Sequence, residues 1–184
     1  GQDIKLIEIS EIDGITNLNC LNSYTDNIAA LIIQSPNRNG LIENWMESKK
    51  KMLDPNALLI AVSDPFALSV LKSPGECGAD IYVGEGQTIG NQMNYGGPLL
   101  GLMAVKDKYK RRIPGRIIGK TIDKNNRDGF VLTLQTREQH IRREKATSNI
   151  CTNQGLLALR ATIYLSLMGA RGMPYFAKIC YQKA

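Results

Sequence analysis

Asp64 is the acidic residue best placed for chemistry, because it lies two residues beyond an apolar run. The run Leu58–Val62 (L-L-I-A-V) predicts a strand buried in a parallel sheet. Such sheets bind ligands in the crevice outside the carboxyl ends of their strands, and Asp64 is expected to stand at that crevice. Pro65 follows, so Asp64 also suits an ordinary turn or helix cap, and the residues alone favour that structural role.

Several common catalytic and binding motifs are missing. No G-x-G-x-x-G follows a strand and opens a helix, and there is no G-K-[ST] phosphate loop. His140, the only histidine, lies among arginines, which leaves it poorly placed as a catalytic base and favours a structural or solvated role. No metal site is predicted, because the four cysteines lack C-x-x-C spacing, and reduced thiols are expected at Cys20, Cys77, Cys151 and Cys180.

The elements that would position Asp64 follow an α/β pattern. Ile28–Gln34 is a continuous apolar run, typical of a strand buried on both faces, and it stops at a turn-forming stretch, Ser35–Gly40. A helix is predicted from about Ile42 to Leu53, before the Leu58–Val62 strand. The strand–helix–strand order predicts a right-handed crossover between parallel strands.

Further elements are predicted along the chain. The Ile- and Leu-rich start predicts a strand, and two β-prone runs around Asn125–Gly129 predict a hairpin. The last long helix is apolar around most of its surface, so it is expected to be largely buried and to end at Gly169. The predicted ranges are Ile4–Ile9 for the strand, Ile117–Ile122 and Phe130–Gln135 for the hairpin, and about Asn153–Met168 for the helix.

The positive charge of the chain is local. The 184 residues carry a formal charge of +6, with six basic residues against one acidic in Lys106–Arg116 and four against two in Arg137–Lys145. A solvated face with ion pairs, an acidic protein partner and an anionic ligand all remain open. No aromatic stacking platform accompanies the patches, so nucleic acid is not the expected partner. No apolar run reaches the roughly 18 to 20 residues that span a bilayer, and no signal or transit peptide is visible.

A set of short segments resembles one known family. They include Gly78-Ala79-Asp80-Ile81 with Gly84-Glu85-Gly86-Gln87, the turn Tyr95-Gly96-Gly97-Pro98, and the polar string Thr136–Asn153 (T-R-E-Q-H-I-R-R-E-K-A-T-S-N-I-C-T-N). In this order they are similar to glycine dehydrogenase (decarboxylating), the P-protein of the glycine cleavage system, and in particular to subunit 1 of its two-subunit form. The string after Gln135 is the most specific of these features.

The resemblance implies an α/β fold, the large domain of fold type I pyridoxal phosphate (PLP) enzymes, which are aspartate-aminotransferase-like. In that fold a lysine after the G-A-D-I strand holds the coenzyme, and an aspartate at the position of Asp64 pairs with its ring nitrogen. Here the lysine position falls on Thr88 when counted from Asp80 and on Gln87 when counted from Gly97-Pro98. Neither residue carries an amine, so no catalytic residue is expected, and Asp64 is expected to be vestigial.

The resemblance also implies an assembly and a reaction. Subunit 2 would carry the PLP lysine, and the holoenzyme would decarboxylate glycine and transfer the aminomethyl group to the lipoyl group of H-protein. The expected location is the cytoplasm, or the mitochondrial matrix in a eukaryote. Two alternatives remain: a self-sufficient PLP transferase with a differently placed lysine, and a basic binding module for an acidic protein or nucleic acid.

The domain organisation follows from the same resemblance. Residues 1–150 are expected to form part of the large α/β domain, and residues 151–184 a long helix leading toward a small C-terminal domain that is absent. The first predicted strand begins four residues into the chain, and residues 173–184 predict an unfinished helix, so we expect a segment of a longer protein. Three arginines are expected to tie down the glycine-rich loop or to reach a subunit interface: Arg137, Arg142 and Arg143.

Overall fold

The computed structural model describes residues 3–24, 28–146 and 154–184. The chain forms two compact units. Residues 1–104 and 156–184 form the sheet unit, and residues 105–155 form the basic unit. No helix in the described ranges is both long enough and apolar enough to cross a membrane.

The sheet unit is built on four strands in the order β3-β4-β5-β6, preceded by a short antiparallel pair. The strands are β1 (Glu11–Ile12), β2 (Ile15–Thr16), β3 (Ala30–Gln34), β4 (Leu58–Val62), β5 (Ile81–Glu85) and β6 (Gly101–Val105). β3, β4 and β5 pair in parallel, with Val62 opposite both Gln34 and Val83. The predicted parallel α/β arrangement is confirmed, and it brings the carboxyl ends of three strands to one edge.

The helix α1 (Trp45–Lys51) covers one face of this sheet. Asn44 caps it, because its side chain accepts a hydrogen bond from the backbone N–H of Glu47. Trp45, only 4% exposed, packs against Leu31 and donates its indole N–H to the Ile33 carbonyl at 3.1 Å. Burying such a side chain contributes about 3–5 kcal/mol relative to alanine.

The opposite face of β3 is uncovered. Leu31 and Ile33 are buried, but Ile32 between them is 60% exposed. The prediction of a strand buried on both faces is therefore wrong for β3, because the described residues supply a cover on one side only. The prediction of a strand at Ile4–Ile9 is also wrong, since those residues pair with no strand in the part of the chain that the structure describes.

The basic unit contains an antiparallel hairpin of β7 (Ile117–Ile122) and β8 (Asp128–Thr133). The predicted hairpin is confirmed, but β8 begins two residues earlier than predicted. Asp123 closes the turn, because its Oδ1 accepts hydrogen bonds from the backbone N–H groups of Asn125 at 2.7 Å and Arg127 at 2.9 Å. A short helix, α2 (Gln139–Arg142), follows in the same unit.

The last element, α3 (Gly155–Lys183), breaks at Gly169, whose φ of 59° and ψ of −174° interrupt the helical backbone. The predicted break at Gly169 is confirmed, whereas the predicted start at residue 153 lies outside the described residues. The expectation of a largely buried helix is wrong, since only Leu157, Ala161 and Ala177 are buried. A helix that is apolar all round is buried only where a second element packs against it.

Candidate functional site

Two residues singled out from the sequence meet at the carboxyl edge of the sheet. The parallel pairing of β4 and β5 brings Asp64 and Thr88 together, although 24 residues separate them. The Thr88 hydroxyl donates a hydrogen bond of 2.7 Å to Oδ1 of Asp64. Oδ1 also accepts the backbone N–H of Phe66 at 2.7 Å, so Asp64 acts as the turn cap that Pro65 suggested.

Tyr82 is a member of this site that the sequence analysis missed. Its hydroxyl donates to the Ser63 carbonyl at 3.1 Å and lies directly over Gly84, leaving no room there for a β-carbon. Burial raises the pKa of Tyr82, and the negative charge of Asp64 raises it further. Tyr82 therefore stays protonated at neutral pH and serves as a hydrogen-bond donor. The signal that could have found it is the glycine two residues later, which leaves space above the strand.

A cavity of about 390 Å³ opens beside these residues in the sheet unit. Gln87 and Thr88 form part of its wall, together with Gly90, Asn91 and Tyr164 of α3. Gly90 has a φ of +93°, and a β-carbon there would stand 2.6 Å from Cβ of Tyr164. Only glycine allows this loop to approach α3 so closely.

Asn91 anchors the loop that forms the cavity wall. It is 8% exposed, and its Nδ2 donates to the Gly86 carbonyl at 3.1 Å. Its Oδ1 is buried and has no hydrogen-bond partner within the described parts of the chain. Asn91 was not singled out from the sequence, where it lay within a glycine-rich loop.

These side chains do not fit a covalently held PLP. Among the described residues, the cavity wall has no lysine to bind the coenzyme and no arginine or lysine to balance a phosphate. Asp64, the candidate partner for a ring nitrogen, already accepts two hydrogen bonds from this chain. The arrangement provides neutral hydrogen-bonding groups and no nucleophilic amine.

The other residues considered from the sequence lie elsewhere. His140, Arg142 and Arg143 belong to the basic unit and are exposed there. The three cysteines in the described ranges (Cys20, Cys77 and Cys180) are free, and Cys151 lies outside those ranges. Where the structure describes the chain, no group of three or more His, Cys, Asp or Glu residues is arranged to hold a metal ion. Residues 147–153, the end of the Thr136–Asn153 string, fall outside the description.

Comparison with known proteins gives a consistent result. A probable glycine dehydrogenase (decarboxylating) subunit 1 from Desulforamulus reducens is 52% identical over 184 residues, which is 100% of this chain and 41% of the relative. A protein of the same name from Prosthecochloris aestuarii is 54% identical over 173 residues, 94% of this chain and 39% of the relative. The chain thus spans about two fifths of the length of these relatives.

A solved structure shares both sequence and fold with the chain. The crystal structure of glycine decarboxylase (P-protein) of the glycine cleavage system, in inhibitor-bound form, is 46% identical, with a TM-score of 0.75. The match covers 80% of this chain and 34% of that one. The model of the family described as glycine cleavage system P-protein matches residues 2–184. With nearly the whole sequence matched, the chain belongs to the glycine cleavage system P-protein family.

Proposed function

We propose that this chain is part of the non-catalytic subunit 1 of a PLP-dependent glycine dehydrogenase (decarboxylating), and that subunit 2 holds the coenzyme. The holoenzyme decarboxylates glycine and transfers the aminomethyl group to the lipoyl group of H-protein. In this proposal the chain has the fold type I architecture, residues 1–150 belong to the large domain, and residues 151–184 lead toward a small domain. The chain alone is inactive, and the reaction takes place in the cytoplasm, since the relatives described above are bacterial.

The observation that carries the proposal is the hydrogen bond between Thr88 and Asp64. Thr88 and Gln87 stand at the two candidate positions of the coenzyme lysine, and the Thr88 hydroxyl satisfies the carboxylate that would face a ring nitrogen. Neither side chain at those two positions carries an amine that could hold the coenzyme covalently. The names of the relatives, each a subunit 1, support the same assignment.

This chain contributes structure to the proposed reaction. PLP, when bound to subunit 2, supplies the electron sink that stabilises the carbanion left after loss of the carboxylate. Asp64 caps the turn after β4, and Tyr82 and Asn91 fasten the strand ends and the glycine-rich loop. These bonds hold the ends of β4 and β5 and the loop after β5 in place.

Full-length subunits 1 and 2, expressed apart and together, test the proposal. We expect glycine–bicarbonate exchange only when both are present. Borohydride reduction followed by peptide mass spectrometry should find coenzyme attached to subunit 2 alone. Coenzyme attached to a lysine of subunit 1 would instead support a self-sufficient PLP transferase and would overturn the proposal.

Point variants separate a vestigial site from a working one. Asp64→Asn and Thr88→Val in subunit 1 should leave exchange by the complex within about twofold of wild type. A carboxylate engaged in proton transfer contributes about 10²-fold or more, so a loss of that size with intact assembly would place Asp64 in the chemistry.

A further inference from the structure

The turn after β3 contains the one Asn-Gly step of the sequence, Asn39-Gly40. An asparagine followed by glycine is especially prone to spontaneous deamidation, because glycine has no side chain to hinder attack by its own backbone nitrogen. Both residues are exposed, and no described atom lies within 4 Å of the place that a β-carbon on Gly40 would take. Water therefore reaches this step, and the side of Gly40 is sterically open.

Hydrogen bonds hold both of the groups that would react. Nδ2 of Asn39 donates to the Gly14 carbonyl at 3.1 Å and to Oε2 of Glu11 at 3.3 Å, which ties the turn to the β1–β2 hairpin. The Gly40 N–H, whose nitrogen would be the nucleophile, donates to the Asn37 carbonyl at 2.9 Å. Reaction requires these groups to leave their partners. The folded turn therefore slows deamidation, and local opening of the turn permits it.

We propose that Asn39 is a deamidation site whose conversion releases β1 from the turn. The Gly40 nitrogen, after losing its proton, attacks Cγ of Asn39 and forms a bond to it. The bond from Cγ to the side-chain nitrogen breaks, and ammonia leaves with the proton. Water then opens the cyclic succinimide at either carbonyl and yields aspartate or isoaspartate. One water is consumed and one ammonia is released, so the reaction needs no oxidant, reductant or cofactor.

The product reverses the polarity of the contact with β1. An amide that donates two hydrogen bonds becomes a carboxylate that only accepts them. It then faces two acceptors, the Gly14 carbonyl and the Glu11 carboxylate, and the second carries a like charge. Arg38 pairs with the other oxygen of Glu11 at 2.9 Å, but it is 75% exposed, so water screens its attraction. Both hydrogen bonds from position 39 to the hairpin are therefore lost.

The release is confined to β1, because a buried carboxylate anchors β2. Oε1 of Glu43, which is 5% exposed, accepts the backbone N–H and the hydroxyl of Thr16, each at 3.0 Å. It also accepts Nδ2 of Asn37 at 2.8 Å, and the same Nδ2 donates to the Gly14 carbonyl at 2.8 Å. None of these bonds involves Asn39. We therefore expect the sheet unit to stay folded after the modification while β1 loosens.

The test uses the full-length polypeptide that contains this chain, incubated for several weeks in mildly alkaline buffer. Peptide mass spectrometry measures the gain of about 1 Da that deamidation causes at each asparagine. Asn22 and Asn94, both exposed but followed by serine and tyrosine, are internal controls. Asn39→Gln is the matched variant, because it keeps the amide but requires a larger ring for the same attack.

We expect Asn39 to deamidate severalfold faster than either internal control, and Asn39→Gln to remain unmodified at that position. Gly40→Ala should slow the reaction severalfold, because its methyl group hinders the attacking nitrogen. Glu11→Ala should speed the reaction about twofold or more, since one restraint on the amide is gone. Glu8→Ala, at another exposed acidic residue, should match wild type.

The consequence for β1 is measured separately by amide hydrogen exchange. In Asn39→Asp the backbone of β1 should exchange severalfold faster than in wild type, because its tie to the turn is lost. The backbone of β4, in the centre of the sheet, should exchange at the wild-type rate.

Three results would overturn the inference. The first is an unmodified Asn39 in wild-type protein in which Asn22 or Asn94 has deamidated. The second is a wild-type rate of deamidation in Glu11→Ala, which would mean that the hairpin does not restrain the amide. The third is wild-type exchange of β1 in Asn39→Asp. If Gly40→Ala impairs folding, Asn39→Gln and Glu11→Ala still decide the question. None of these measurements uses glycine–bicarbonate exchange, so the inference stands or falls apart from the proposed function.

Discussion

Asp80, inside the G-A-D-I segment, offers a quantitative test of how the sheet unit is held together. Its side chain is 3% exposed, and Oδ2 accepts both the Lys49 ammonium at 2.7 Å and the backbone N–H of Leu59 at 3.1 Å. Lys49 also donates to the Ala57 carbonyl at 3.1 Å and is 30% exposed. The pair therefore joins α1, β4 and the start of β5 through one carboxylate.

The unequal burial of the two partners sets the expected magnitudes. Breaking a buried ion pair costs about 3–5 kcal/mol, because the remaining charge stays in a poorly solvated place. Lys49→Met leaves the buried Asp80 carboxylate without its cation, so we expect the free energy of unfolding to fall by about 3–4 kcal/mol. Asp80→Asn leaves the partly exposed Lys49, which still reaches water and the Ala57 carbonyl, so about 2 kcal/mol is expected. Asp80→Ala also strands the Leu59 N–H, which adds about 1–2 kcal/mol.

Urea unfolding provides the measurement, followed by the fluorescence of Trp45, the single tryptophan, which lies on the same helix as Lys49 and is 4% exposed. The double variant Lys49→Met with Asp80→Asn should cost less than the sum of the single variants, because neither charge is stranded. Lys51→Met is the control on the same helix. Its pair with Glu47 at 3.6 Å and its hydrogen bond to Oδ1 of Asn19 at 3.0 Å are both exposed, so together they should contribute less than about 1 kcal/mol.

Equal costs for Lys49→Met and Asp80→Asn would refute the argument from unequal burial. Strictly additive single and double variants would show that the two groups do not act as a pair. A cost for Lys51→Met as large as that for Lys49→Met would indicate a general effect on α1 in place of a specific ion pair.

Three further predictions concern single residues of the sheet unit. Tyr82→Phe should lower the free energy of unfolding by about 1 kcal/mol at neutral pH, because the hydrogen bond to the Ser63 carbonyl is lost. The folded pKa of Tyr82 is raised, so the unfolded tyrosine ionises first and wild type loses stability above about pH 10. Urea unfolding at a series of pH values should show that the variant lacks this part of the loss. Gly90→Ala should cost about 2–4 kcal/mol in thermal unfolding, from backbone strain at φ +93° and from the clash with Tyr164. The pKa of Glu76 is lowered below 4.5, first by the hydrogen bond from the Ser73 hydroxyl and then by that from the Ser73 backbone N–H. The ionised carboxylate therefore stabilises the fold above about pH 4.5, and this stability is lost as acid protonates it. In Glu76→Gln, stability measured against falling pH should lack that loss.

Each of these has a control or a contrary outcome. Gly40→Ala shares a positive φ of +77° but has no atom within 4 Å of the added carbon, so it should cost only about 1–2 kcal/mol. A cost for Gly90→Ala no larger than that would mean that the loop moves freely away from Tyr164. An alkaline stability profile of Tyr82→Phe that matches wild type, or an acid profile of Glu76→Gln that matches wild type, would contradict the assigned hydrogen bonds.

Local patterns predicted those elements whose structure depends on near neighbours in the chain. The strand Leu58–Val62 was predicted with its observed bounds, because a short apolar run between turn residues has few other structures open to it. The break at Gly169 followed from a single glycine after a helical run. The start of β8 was misplaced by two residues, since the Asp123 side chain closes the turn through contacts that residue types alone do not fix.

Predictions that depended on distant partners were less accurate. Ile4–Ile9 has the composition of a strand, but no strand of the described ranges lies beside it, and strands form a sheet only by pairing their backbone groups. The exposed side of α3 and the exposure of Ile32 depend on what packs against them, which composition does not reveal. Tyr82 and Asn91 were missed because their significance lies in the Ser63 and Gly86 carbonyls that they reach.

The amino-acid sequence by itself determined the family, the parallel strands β3 and β4, and the absence of an amine at positions 87 and 88, because these depend on residue identity and short-range order. Only the tertiary structure decided that the Thr88 hydroxyl bonds to Asp64 across 24 residues, and that Tyr82 and Asn91 reach the Ser63 and Gly86 carbonyls. The physical reason is that these contacts join groups that lie far apart in the sequence. Strand register decides which of those groups lie side by side, and register is set by packing between elements.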